Sequence, residues 1–141
     1  MPPVKVLLTS SSASVRDMMR LAVSDIEHRV TEPLEFLEAS NGEHGAALAR
    51  AHGVDVVVAD EIQSRAGAFA LARTLRDAEP PFPGVIVILL DRPHDGWLAT
   101  WAGADAWFTK PVDPFALTDR IFELIETRTT DRMSEARRGA G

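Results

Sequence analysis

Asp60 and Glu61 close the run Val54-Asp55-Val56-Val57-Val58-Ala59, a valine-rich stretch that reads as a strand buried on both faces. Parallel sheets carry their ligand sites at the carboxyl ends of their strands, so Asp60 stands where carboxylate chemistry is expected. Lys110 stands out by scarcity, because the chain has two lysines, Lys5 and Lys110, and arginine supplies nearly all its other positive charge. Ser10, Ser11 and Ser12 offer hydroxyls just after the first apolar run, and their simplest use is to cap the helix that follows. Nucleophilic catalysis by a serine would need a histidine base oriented by an acid. His28, His44, His52 and His94 have no such motif around them, which leaves a small serine hydrolase as a remote alternative. Nor do any two of these histidines share metal-ligand spacing on one face.

The elements that must position these groups alternate along the chain. Val4 to Leu8 is a short strand, and from about Ser14 the residues Val15, Met18, Met19, Ala22, Val23 and Ile26 recur at helical spacing. Leu34 to Ala39 is a second strand, Ser40-Asn41-Gly42 a turn, and Gly45 to Ala51 a short helix that Gly53 ends. The strand Val54 to Asp60 leads into a loop, Ile62 to Ala66, and a helix from Phe69 to about Asp77. Glu79-Pro80-Pro81-Phe82-Pro83-Gly84 excludes regular structure, since proline removes a donor and fixes φ. Val85 to Leu90 is the fourth strand, a helix from roughly Asp95 carries Trp97, Leu98 and Trp101, and Ala106 to Thr109 is a fifth strand. A last helix starts near Asp113-Pro114, with Phe115, Leu117, Ile121, Leu124 and Ile125 as its apolar face. From Thr127 only Met133 is apolar apart from small residues, so residues 128–141 read as a disordered tail or linker stub after a domain spanning 1–127. Alternation of this kind specifies an α/β sandwich around a parallel sheet with right-handed crossovers.

Composition narrows the function classes. The 141 residues suffice for one domain, and 45% hydrophobic with 26% charged is the balance of a water-soluble fold. Without cysteine there are no disulfides, no thiol chemistry and no cysteine-held zinc. A net charge of −6 argues against a nucleic-acid surface, which needs a basic face. The longest apolar run, Val85 to Leu90, is too short to span a bilayer, and Met1-Pro2-Pro3 does not open a secretory signal, so a cytoplasmic protein is expected. The first loop has no glycine-rich phosphate cradle, which removes support from P-loop and dinucleotide folds.

Three stretches together resemble the receiver domain of bacterial response regulators: Val54 to Asp60, Ala102-Gly103-Ala104-Asp105, and Thr109-Lys110-Pro111. The helix Gly67 to Arg76 is similar to the family's third helix, and the likeness covers Val4 to Thr127. The resemblance implies a flavodoxin-like (βα)5 sandwich with strand order 2-1-3-4-5, for which a receiver is itself a standard example. It also implies two-component phosphorelay signalling without an enzymatic activity of its own, and a sensor histidine kinase or other signalling protein as partner. By position, Asp60 is the phosphoacceptor, Lys110 the cation on the phosphate side, Trp107 the switch aromatic, and Lys110-Pro111 a candidate cis peptide. The family's face of fourth helix, fifth strand and fifth helix would carry Trp97, Trp101 and Trp107 and could pair two copies.

The chain departs from that pattern at the metal. The acidic pair that holds Mg²⁺ falls at Ser10 and Ser11, and the strand-four hydroxyl falls at Leu89 or Leu90. Mg²⁺ needs hard oxygen ligands, usually one or two carboxylates plus water and phosphate, and a serine hydroxyl is a poor substitute. Asp60, with Glu61 or Asp91 as extra carboxylates, would hold at most a weak Mg²⁺, and no cofactor is required. Two readings follow: an atypical phospho-switched receiver, or a phosphorylation-independent pseudo-receiver that works as a constitutive protein–protein interaction module.

Overall fold

The computed structural model describes residues 3–61 and 67–140, with side chains described as far as residue 128. Five strands, β1 (Val4–Thr9), β2 (Leu34–Ala39), β3 (Val56–Asp60), β4 (Val85–Leu90) and β5 (Ala106–Thr109), form one parallel sheet in the order β2-β1-β3-β4-β5. Five α-helices join them: α1 (Ala13–Ser24), α2 (Gly42–His52), α3 (Ala68–Arg76), α4 (Gly96–Trp101) and α5 (Pro114–Ala140). Single 3₁₀ turns at Asp25–His28 and Pro93–Asp95 extend α1 and precede α4. The loop expected at Ile62 to Ala66 lies outside the described residues.

Alternation along the central strands makes two cores. Leu7, Val57, Ala59, Ile86, Ile88 and Leu90 face α2, α3 and α4. Their neighbours Val6, Leu8, Val56, Val58, Val85, Val87 and Leu89 face α1 and α5, where Met19, Val23, Ile26, Leu117 and Ile121 meet them. Successive strand residues point to opposite faces, so a strand covered on both sides must be apolar, as β4 is throughout and β3 is up to Asp60. Thr118 ties the second layer together by donating its hydroxyl to the Ala22 carbonyl at 2.6 Å.

Local chemistry sets the helix ends. Asn41 caps α2 by accepting from the His44 amide at 2.9 Å, so the helix begins at Gly42, three residues earlier than the alanine run suggests. Gly53 closes it in the left-handed region at φ 61°. Phe115 corrects the expected apolar face of α5: it is 76% exposed, while Leu117 and Ile121 are fully buried. At 3.6 residues per turn, a residue two before Leu117 points roughly to the far side.

α5 runs on to Ala140, through the stretch expected as a disordered tail or linker stub. Arg132, Met133, Glu135, Ala136, Arg137 and Arg138 have good helix propensity, and no proline interrupts them. No helix among the described residues is long and apolar enough to cross a membrane.

Candidate functional site

Strand order reverses beside β1, and the crevice at the carboxyl ends of β1 and β3 is where a sheet of this topology places ligands. Asp60 ends β3 there, its side chain only 3% exposed. Each of its oxygens is occupied. Ser10 donates its hydroxyl to Asp60 Oδ2 at 2.9 Å, and the Lys110 ammonium donates to Asp60 Oδ1.

Lys110 is shared. Its Nζ also lies 2.9 Å from Asp91 Oδ1, in a carboxylate that is 58% exposed. Sheet register explains the meeting: Leu90 pairs with Thr109, so Asp91 and Lys110 are the next residues along two adjacent parallel strands, and the Lys110 amide donates to the Leu90 carbonyl at 2.8 Å. Burial pulls the Lys110 ammonium down, but its hydrogen bonds to Asp60 and then Asp91 outweigh this and leave its pKa raised above the usual lysine value.

The serines divide their work differently from the capping expectation. Ser12 is the cap of α1, accepting from the Val15 amide at 3.3 Å. Ser10 is buried against Asp60 and accepts from the Ser12 amide at 3.0 Å, which aims its proton at the carboxylate. Ser11 is exposed. Arg16 fixes this turn from above, donating to the Ser10 carbonyl at 2.5 Å and pairing with Glu38 at 3.1 Å.

Glu61 has a partner of its own. Its Oε2 accepts from the Phe69 amide at 2.9 Å, at the start of α3. A Cβ on Gly67 would come within 2.6 Å of Glu61 Oε1, so a glycine at that position leaves the carboxylate its place. Burial pushes the Glu61 carboxyl up; the Phe69 and Ala68 amides oppose this, and the nearby Asp60 and Asp91 charges add to it.

These donors do not fit an Mg²⁺ site. Asp60 has both oxygens engaged, Glu61 serves α3, Asp91 is bound to Lys110, and a hydroxyl stands at the buried acidic-pair position. Among the described residues no group of three or more His, Asp or Glu side chains could hold a metal. Leu89 and Leu90 are both fully buried, each in a different core, so neither position presents a polar atom to Asp60.

Lys110-Pro111 is cis, as the resemblance implies, and so is Glu79-Pro80, which sequence reasoning did not single out. The tryptophans do not share one surroundings. Trp107 is 40% exposed and its ring lies against Gly96, where a Cβ would come within 2.4 Å. Trp101 is 61% exposed, with the Arg73 guanidinium of α3 over its ring at 4.9 Å. Trp97 is 67% exposed.

The Gly103 and Asp105 stretch belongs to the opposite end of the sheet. Arg76 donates to the carbonyls of Gly103, Phe82 and Gly84 and to Asp105 Oδ2, all between 2.8 and 3.0 Å. Asp105 Oδ2 also accepts from the Ile86 amide at 2.8 Å, and Arg128 of α5 approaches it at 3.5 Å. Nothing in the sequence pattern identified Arg76, because its partners are mostly backbone carbonyls brought together by the fold.

No protein-family model matches the sequence. The chain is 27% identical over 122 residues to an uncharacterized response regulatory protein of Mycobacterium tuberculosis, covering 86% of this chain and 91% of that protein. It is 37% identical over 93 residues to the protein PilH of Pseudomonas aeruginosa, covering 64% of this chain and 77% of PilH. Among solved structures, a putative response regulator from Chloroflexus aurantiacus superimposes with a TM-score of 0.77 at 18% identity, over 88% of this chain and 98% of that one.

Proposed function

This chain belongs to the receiver-domain family of response regulators, and on that premise we propose that it serves two-component signalling as an atypical receiver whose Asp60 site is held closed by its own side chains. The observation that carries this is the occupancy of Asp60. Ser10 holds one oxygen and Lys110 the other, where an Mg²⁺-assisted acceptor needs one oxygen for the metal and one free to attack phosphorus. In this reading the domain is no enzyme in its own right and needs no cofactor. It acts as an interaction module, with a sensor histidine kinase or another signalling protein as partner.

The α4, β5 and α5 face is the proposed contact surface. Trp97 and Phe115 are its most exposed large apolar side chains, and aromatic residues are favoured interface anchors. A homodimer through the same face is the alternative occupant. The net charge of −6 supports a protein partner over nucleic acid.

Incubation with Mg²⁺ and acetyl phosphate, followed by intact-mass measurement, tests the reading. The expected result is no acid-stable, base-labile gain of one phosphate. A gain that disappears in Asp60→Asn would establish the phospho-switched alternative instead. Restoring carboxylates at both Ser10 and Ser11 is the control: the double variant should bind Mg²⁺ where the natural chain does not.

A further inference from the structure

The geometry points to Asp91 as a positioning residue for Lys110: a tethered anion that keeps the ammonium occupied and so excludes free phosphate or a phosphoryl group from it. The inference deepens the closed-site reading above and rests on it for its functional meaning.

An ammonium has three donors. In this site one goes to Asp60 and one to Asp91, and the flank of the side chain is three-quarters covered. An incoming phosphate must therefore displace a carboxylate or make do with one donor. Asp60 is a poor candidate for displacement, because it is buried and also held by Ser10. Asp91 is the partner an anion has to compete with. It is attached to the strand next to Lys110, in register with it, and a tethered competitor acts at an effective concentration that a dilute solute does not reach.

Charge works in the same direction. Asp60 and Asp91 set two carboxylates against one ammonium, and Glu61 lies close enough to feel both. A dianion approaching this cluster meets excess negative charge. Removing Asp91 alone returns the Asp60–Lys110 pair to balance and frees a donor. Because Asp91 is more than half exposed, its replacement leaves neither a cavity nor a buried unpaired group.

The scarcity of lysine makes a direct test practical. Protein labelled with ¹³C only in lysine gives two side-chain signals, Lys5 as internal reference and Lys110 as reporter. Inorganic phosphate is titrated at fixed pH and constant ionic strength. In the natural chain Lys110 is expected to follow Lys5, with no saturable change. In Asp91→Asn its signal should start from a different position and then saturate, with an apparent affinity at least about tenfold tighter, and Asp91→Glu should restore the original behaviour. Equal titrations of the natural chain and Asp91→Asn would overturn the proposal, as would an unchanged starting position for Lys110 in Asp91→Asn. Phosphorylation of the natural chain by acetyl phosphate would overturn the closed-site reading, yet the difference between these two proteins in phosphate binding would still be required.

Discussion

The two ends of the sheet each hold a cation against a carboxylate, and they use it in opposite ways. At the amino end Arg76 spends its planar fork on three carbonyls and one carboxylate, and Asp105 receives Arg76, the Ile86 amide and Arg128. At the carboxyl end Lys110 is a point charge with two carboxylates and, among the described residues, no side-chain bond to backbone. A guanidinium fixed in several directions staples loops together; an ammonium between two acids can exchange one for another. The first arrangement is architecture, and the second is a site.

The largest test of that contrast is Arg76→Ala. It strands three loop carbonyls and takes from Asp105 its nearest cation, leaving Asp105 the Ile86 amide and Arg128. The expected loss is about 3 kcal/mol in urea denaturation. Lys110→Ala should cost less, about 2 kcal/mol, because only Asp60 is left buried without its cation while Asp91 returns to water. A larger loss for Lys110→Ala than for Arg76→Ala would reverse the assignment of roles. Asp60→Asn sharpens it further. Asparagine keeps one acceptor oxygen for Lys110 and turns its amide to Ser10, whose hydroxyl must then accept rather than donate. It also relieves a buried charge, so stability should change by less than about 1 kcal/mol in urea denaturation.

Gly67→Ala probes the edge of the site, since the new methyl group must push Glu61 from the α3 amides. A loss of about 1 kcal/mol is expected, comparable to removing a helix cap.

The smallest effect is in pH. The Glu61 carboxyl is raised in the folded state, chiefly by burial, so the folded protein binds its proton more tightly than the unfolded chain does. Its favourable contribution is complete below the unfolded value near 4.5 and is lost as pH rises through the raised folded value. Glu61→Gln, which can still accept from Phe69, should therefore be more stable than the natural chain at neutral pH. The difference should close on acidification, read from urea midpoints along a pH series.

Much of the fold is legible because the two periodicities are clean. The bounds of β2, β4 and β5 follow from the apolar runs themselves, and the sheet order follows from the motifs at Asp60 and Thr109-Lys110-Pro111. The pairing of Asp60 with Lys110 is legible by the same likeness. What the sequence hides depends on which of several equivalent side chains the backbone selects. Ser10 and Ser12 are the same residue two positions apart, and only the path of the turn decides that one meets Asp60 and the other caps α1. Asp91 is legible as a carboxylate near Asp60, and its pairing with Lys110 follows from register once β4 and β5 are aligned. Arg76 is hidden, because carbonyls leave no trace in residue type. Helical continuation past Arg128 escaped because it needs no apolar face, only residues that tolerate the conformation.

The contact between Gly96 and Trp107 has a mechanical consequence. With the indole seated where a Cβ would be, there is no clearance between the first turn of α4 and β5. A partner that draws α4 sideways must carry the indole along or leave a gap beneath the helix. The contact therefore couples α4 to β5 sterically, and a displacement of the helix changes the surroundings of the Trp107 indole whether or not anything reaches Asp60.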